Sequence, residues 1–215
     1  MIGETRILLL RHEEPEEDAH GKVYGSLDVG LSELGARRAL ALGAAFASVE
    51  LRVIASSPRL RALETARALA EAVGREPRID ERLREIDFGA FEGRAYEEIE
   101  REYPEEFRLW METPTRVRFP GGEDYAAVRA RALEALAEVR QAADGGNGAI
   151  VAHGGIVRAM LAECLQMPDE AIFRLDVGYG ALSVVEWFGD TPLVRLVNGD
   201  AATWATAYPR GQTRA

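Results

Sequence analysis

The chain has a single cysteine, Cys164, so no disulfide can form within it, and a reducing compartment suits it. Cys164 falls inside an apolar helical pattern and reads as core filler. No apolar run approaches the length of a membrane span, and the one nearest the start, Ile7-Leu8-Leu9-Leu10, is too short for the core of a secretory leader. A soluble, cytoplasmic protein is expected. Positive charge is also scarce, with 26 Lys and Arg against 36 Asp and Glu and a net charge of -10. That balance excludes bulk attraction to nucleic acid or to anionic membrane, so neither is expected as a partner. A site for an anionic substrate would have to be built from local positive charge. Internal repeats and linker-like tracts are absent as well.

With 215 residues, 47% of them hydrophobic, the chain suits one domain spanning 1–215 with a sizeable core. Ile7 to Leu10, Val53 to Ala55 and Ala149 to Ala152 are continuous apolar runs of the kind that fully buried parallel strands require. Each precedes a stretch with helical apolar spacing: Ser32 to Phe46, Pro58 to Val73, and Gly155 to Leu165. Ser32 is suited to the N-cap and Pro58 to the first helical turn. Strand-helix alternation predicts an α/β fold with a mostly parallel central sheet. Between about 90 and 142 lie further helical patterns, at Tyr96 to Glu102, Glu105 to Trp110 and Asp124 to Ala142, expected to form a cap beside the sheet. Ala181 to Phe188 and Leu193 to Val197, joined by Gly189-Asp190, predict an edge hairpin. Residues 205–215 read as a frayed tail.

Open α/β sheets bind ligands beyond the carboxyl ends of their parallel strands. Those ends hold unusual residues here. The first run leads into Arg11-His12-Glu13, the second into Ser56-Ser57-Pro58 with Arg61 one turn on, and the third into His153-Gly154-Gly155. Singly, each has a plain structural reading. Together, two arginines and two of only three histidines predict an anion site, because guanidinium forks match phosphate oxygens and are costly to cluster without an anion between them. Gly154-Gly155 would add backbone N–H groups at the positive end of a helix.

Leu10-Arg11-His12, Ser56-Ser57-Pro58 through Arg61-Ala62 and Glu64-Thr65-Ala66, Glu85 through Phe88-Gly89 and Glu92-Gly93, and Val151 through Gly155 resemble, in order, the motifs of the histidine phosphatase, or phosphoglycerate mutase-like, superfamily. Gly25, Asp28 and Phe119-Pro120-Gly121-Gly122-Glu123 are also similar to family segments. The resemblance implies a three-layer α/β/α sandwich of the phosphoglycerate mutase-like kind. It implies His12 as a phosphorylated nucleophile, with Arg11, Arg61, His153 and Gly154 around the phosphate. Glu85 becomes the proton donor, and Tyr24 and Gly25 the substrate-contacting loop. The substrate would be a small phosphomonoester, with no cofactor or metal needed, and a homodimer is open as the assembly. Asp87 to Gly93 followed by Tyr96-Glu97-Glu98-Ile99 is similar to the phosphatase branch rather than to mutases, which carry an insertion this chain lacks.

Two positions depart from the family pattern. Glu13 stands where glycine is usual, and Asp18 where many relatives have asparagine. Carboxylates facing the phosphate would oppose binding and favour a phospholigand-binding module without turnover. Mutase-type phosphoryl transfer is a second alternative, and a metal triad of His12, His153 and Glu85 a third, although two adjacent arginines speak against a dication. Trp110, Phe119 and Tyr125 are candidates for a substrate entrance, and His20 reads as a surface residue.

Overall fold

The first apolar run serves two cores at once. Successive side chains of a strand point to opposite faces, so Ile7 and Leu9 enter one core and Leu8 and Leu10 the other, all fully buried. The computed structural model describes residues 5–207, apart from the side chains of 18 and 205–207. Strands β1 (Thr5–Arg11), β2 (Leu51–Ser56), β3 (Arg78–Ile79), β4 (Asn147–Ala152), β5 (Leu182–Phe188) and β6 (Thr191–Gly199) form one sheet in the order β3-β2-β4-β1-β5-β6. The first four run parallel, while β5 is antiparallel to β1 and β6 to β5. The expected hairpin is therefore present, with β6 on the edge.

Helices cover both faces, giving the α/β/α sandwich. On one face α1 (Glu33–Phe46), α2 (Leu60–Ala72) and α7 (Ala201–Ala207) enclose Leu8, Leu10, Ile54 and Val151. On the other, α5 (Tyr125–Ala143) and α6 (Gly154–Cys164) enclose Ile7, Leu9, Ile150 and Ala152. Each such aliphatic side chain gains about 1.5–3 kcal/mol from leaving water. Within the stretch expected as a cap, α3 (Tyr96–Glu102) and α4 (Pro104–Glu112) contribute to a separate small cluster of Val23, Phe91, Ile99, Val117 and Phe119. The last part of that stretch is α5, which packs on the sheet.

Ser32 caps α1 as expected, its Oγ accepting the Gly35 N–H at 2.9 Å. Pro58 does not open α2. That helix begins at Leu60, whose N–H is taken at 2.7 Å by Asp28 from a distant loop. Nor does the tail begin at 205, because α7 runs to Ala207 and buries Trp204 against Phe46, ring centres 5.7 Å apart. Residues 208–215 lie outside the described residues. Among the described residues no helix is long and apolar enough to cross a membrane.

Register places the chemistry. Arg11 pairs with Ala152 and Ser56 with Val151, so the next residues along the strands, His12, Ser57 and His153, emerge side by side at the carboxyl end of the sheet.

Candidate active site

His12 is buried, and its ring is fixed at both ends of the residue. Its backbone N–H donates to the Ala152 carbonyl at 2.9 Å, and Nδ1 lies 2.7 Å from the Glu13 carbonyl oxygen. A carbonyl can only accept, so Nδ1 carries the proton and Nε2 presents a lone pair. Burial, followed by the charges of Arg61 and Arg11, holds the His12 pKa well below 6.5, which keeps the ring neutral. The His153 ring stands edge-on, 5.2 Å from that of His12. It too is held neutral, by burial and then by Arg61. Its Nε2 is 2.8 Å from Ser57 Oγ, while Nδ1 is buried with no protein partner.

Arg61 is fully buried, and the loop ahead of it is folded around its guanidinium. Nη2 donates to the Gly25 carbonyl at 2.9 Å and Nη1 to the Leu27 carbonyl at 2.8 Å, leaving Nε without an acceptor. Only glycine fits at 25, since a Cβ there would stand 1.8 Å from the Ile86 carbonyl oxygen. Gly25 thus holds Arg61 and is not part of the cleft wall. Arg11 donates from Nη1 to the Val177 carbonyl at 2.6 Å, and its Nε is likewise buried without an acceptor. Two phenols roof these cations. Tyr24 lies 5.0 Å from the Arg61 guanidinium and Tyr179 4.1 Å from that of Arg11, and their hydroxyls are hydrogen-bonded at 2.7 Å.

Glu85 lines the cleft beside the N-terminus of α6. Its Oε2 accepts the Gly155 N–H and its Oε1 the Ile86 N–H, both at 3.0 Å. Gly155 rather than Gly154 is on the wall, and its N–H is committed to Glu85. Arg131 fixes the segment from behind, donating to the carbonyls of Arg82, Arg84 and Glu85 while pairing with Glu123 at 2.8 Å. Glu13 does not face the cleft. Its carboxyl lies under the backbone of Gly180, where a Cβ would come within 2.1 Å of Oε1 and where φ is +65°, a combination that requires glycine. The Asp18 side chain lies outside the described residues. Among the described residues, no three His, Cys, Asp or Glu side chains are grouped to hold a metal ion.

This geometry agrees with the chain's similarities to known proteins. Residues 7–200 match the family model for the histidine phosphatase superfamily, branch 1. The chain belongs to that superfamily. It is 39% identical over 181 residues to phosphoserine phosphatase 1 of Hydrogenobacter thermophilus, covering 84% of this chain and 86% of that one. It is 35% identical over 207 residues to glucosyl-3-phosphoglycerate phosphatase of Mycolicibacterium vanbaalenii, covering 93% and 89% respectively. The native structure of a mycobacterial glucosyl-3-phosphoglycerate phosphatase superposes with a TM-score of 0.82 at 27% identity, over 92% of this chain and all of that one.

In this superfamily member the cleft measures about 560 Å³, far more than a phosphate alone would fill. Beyond the cations its wall is apolar and aromatic. Trp110, Phe119 and Tyr125, the three entrance candidates, all belong to it, as do Phe88, Tyr96 and Phe173. His20 is exposed and sits at the rim. Sequence reasoning missed Tyr179, Arg158 and the Arg131 clamp. Tyr179 follows no strand or motif that would mark it, whereas Arg158 lies one helical turn after Gly154, a spacing that could have shown it.

Proposed function

We propose that the chain is a metal-independent phosphomonoesterase that hydrolyses a small phosphorylated metabolite through a phosphohistidine on His12. One observation carries the reading: buried, acceptor-less nitrogens on Arg11, Arg61 and His153 surround a neutral imidazole whose only free nitrogen is Nε2. Leaving a buried donor unpaired costs about 1–3 kcal/mol, and phosphate oxygens would satisfy all three. With Ser57 donating its hydroxyl proton to His153 Nε2, His153 Nδ1 becomes the third donor. Relatives named for phosphoserine and glucosyl-3-phosphoglycerate add support for a small phosphorylated substrate.

In the first step His12 Nε2 attacks phosphorus in line with the departing ester oxygen. Arg11, Arg61 and His153 stabilise the equatorial oxygens of the loose transition state. Glu85, the one carboxylate lining the cleft among the described residues, protonates the leaving oxygen. In the second step it takes a proton from the water that attacks phosphohistidine, releasing inorganic phosphate and restoring His12. The binding-module alternative assumed that Glu13 and Asp18 face the phosphate; Glu13 faces Gly180 instead, and the Asp18 side chain lies outside the described residues.

A phosphorylated substrate mixed with enzyme and quenched in denaturant should leave a label on protein that is stable to base and lost in acid. His12→Ala should abolish it, and EDTA should leave turnover of para-nitrophenyl phosphate unchanged. A label that survives acid, or one that persists in His12→Ala, would overturn the covalent mechanism. Loss of activity in EDTA with recovery on zinc would replace it with metal chemistry.

A further inference from the structure

Arg158 stands one turn along α6 from Gly154 and belongs to the cleft wall. Its Nη1 lies 2.9 Å, and Arg11 Nε 3.6 Å, from the point that a Cβ on Gly154 would occupy. Glycine at 154 therefore opens the space in which two guanidiniums approach each other. Nε of Arg158 donates to the Leu175 carbonyl at 2.9 Å, and the group lies 5.6 Å from the Phe173 ring, which together set its plane. Among the described residues neither Nη atom has a hydrogen-bond or ion-pair partner. Glu85 and Asp176 are near enough to favour its charge but form no ion pair with it. This cation is thus half-buried, oriented, and left with an open edge in a binding cleft.

That edge does not serve the reacting phosphate in the way Arg11 and Arg61 do. At the first turn of α6 the point that a Cβ on Gly154 would occupy is 2.9 Å from Arg158 Nη1, and the corresponding point on the next residue, Gly155, is 2.4 Å from Glu85 Oε1. Arg158 and Glu85 therefore flank the same turn, and the side of the cleft they share is the one from which Glu85 would protonate the leaving group. We propose that Arg158 is a specificity-determining residue whose free Nη edge receives a carboxylate on the leaving group, so that preferred substrates are phosphomonoesters of hydroxy acids. A planar guanidinium edge matches the two oxygens of a carboxylate with parallel hydrogen bonds. The proposal rests on the phosphatase reading of the same cleft.

O-Phosphoserine and O-phosphoethanolamine differ only by the carboxylate, which makes them the test. The enzyme should favour phosphoserine in kcat/KM by about 10- to 100-fold, mostly through KM, the range expected for one charge-assisted contact. Arg158→Gln should collapse that ratio to below about 3, with Arg158→Lys in between, because an ammonium keeps the charge and loses the fork. Should Arg158→Gln fold poorly, the ratio in the unaltered enzyme still decides. A ratio near one, a ratio unchanged in Arg158→Gln, or equal losses on both substrates would overturn the assignment, the last by making Arg158 a phosphate ligand. Turnover of para-nitrophenyl phosphate without any preference for the carboxylate would remove this inference alone. No turnover of any of the three would remove the phosphatase reading and this inference with it.

Discussion

Replacing Glu85 by glutamine tests the acid role, and the site geometry sets what the change costs. Both carboxylate oxygens accept backbone N–H groups at 3.0 Å, from Gly155 and from Ile86. A glutamine offers one acceptor and turns its NH2 toward the other N–H, so the variant loses one hydrogen bond. The expected loss is about 1–3 kcal/mol, or roughly 2–4 °C of melting temperature for each kcal/mol in a chain of this size. Arg131 still clamps the carbonyls on either side, so the backbone should stay in place. Catalysis separates from that structural cost through the leaving group. An alkyl alkoxide needs a proton as it departs, whereas para-nitrophenolate leaves nearly unaided. The phosphorylation step should therefore slow by about 10²-fold or more for an alkyl phosphate and far less for the aryl ester. Pre-steady-state rates are the assay, because loss of the base in the second step would mask the difference at steady state. Equal losses on both substrates would refute the acid role and leave only misplacement of the site. Among the described residues no other carboxylate lines the cleft to take over, since Glu123 is bound to Arg131 and Asp87 Oδ1 accepts the Gly89 N–H at 2.8 Å.

Arg61→Lys should lower kcat/KM by about 10²-fold or more and also destabilise the fold, because one ammonium cannot reach both the Gly25 and Leu27 carbonyls and still face the cleft; activity within a factor of about three of the original would refute the fork argument. Glu13 gives a pH signature: burial raises its pKa above 4.5, so its contribution to stability is present below that value and is lost as pH rises through the folded-state value. Glu13→Gln removes that titration and should gain on the unaltered protein as pH increases from 4 toward 7 in denaturation midpoints, while the opposite trend would mean that the buried carboxylate has a charge partner.

The core strands were legible because strands buried on both faces must be apolar throughout, and Ile7 to Leu10 needs side chains for two cores. The site was legible for a related reason: parallel strands bring their carboxyl ends together, so residues far apart in sequence can be paired by a rule about topology. What escaped the sequence depends on contacts that no local pattern encodes. β3 is two exposed residues with no apolar run. The start of α2 is set by Asp28 from another loop, which overrode the local signal of Pro58. Glu64, Glu92 and Glu123 were visible only as parts of a family resemblance, yet their work is structural. Glu92 gathers the N–H groups of Gly25, Ser26 and Phe88, Glu64 takes that of Leu31, and Glu123 that of Asp87. Each binds a loop that carries a site residue.

A protein of net charge -10 binding a phosphate dianion is a matter of distance rather than of totals. Exposed charges beyond about 8–10 Å are largely screened at physiological salt, and many carboxylates are paired with arginines that do not line the cleft, as at Arg94–Glu102, Arg116–Glu170 and Arg195–Glu186. Among the described residues the balance inverts within the cleft, with Arg11, Arg61, Arg158 and Lys22 against Glu85. Burial, reinforced by the charges of Arg61 and Arg11, holds His12 and His153 neutral. A bound dianion reverses that sign, since its own charge favours protonation of the histidines it touches. In the proposed reaction His12 would be withheld from this, because Nε2 would be bonded to phosphorus, whereas His153 would strengthen as a donor while charge spreads over the phosphoryl oxygens. On the proposed reading the same cations would help burial keep His12 unprotonated and would stabilise the transferring group, and neither effect requires the protein as a whole to be basic.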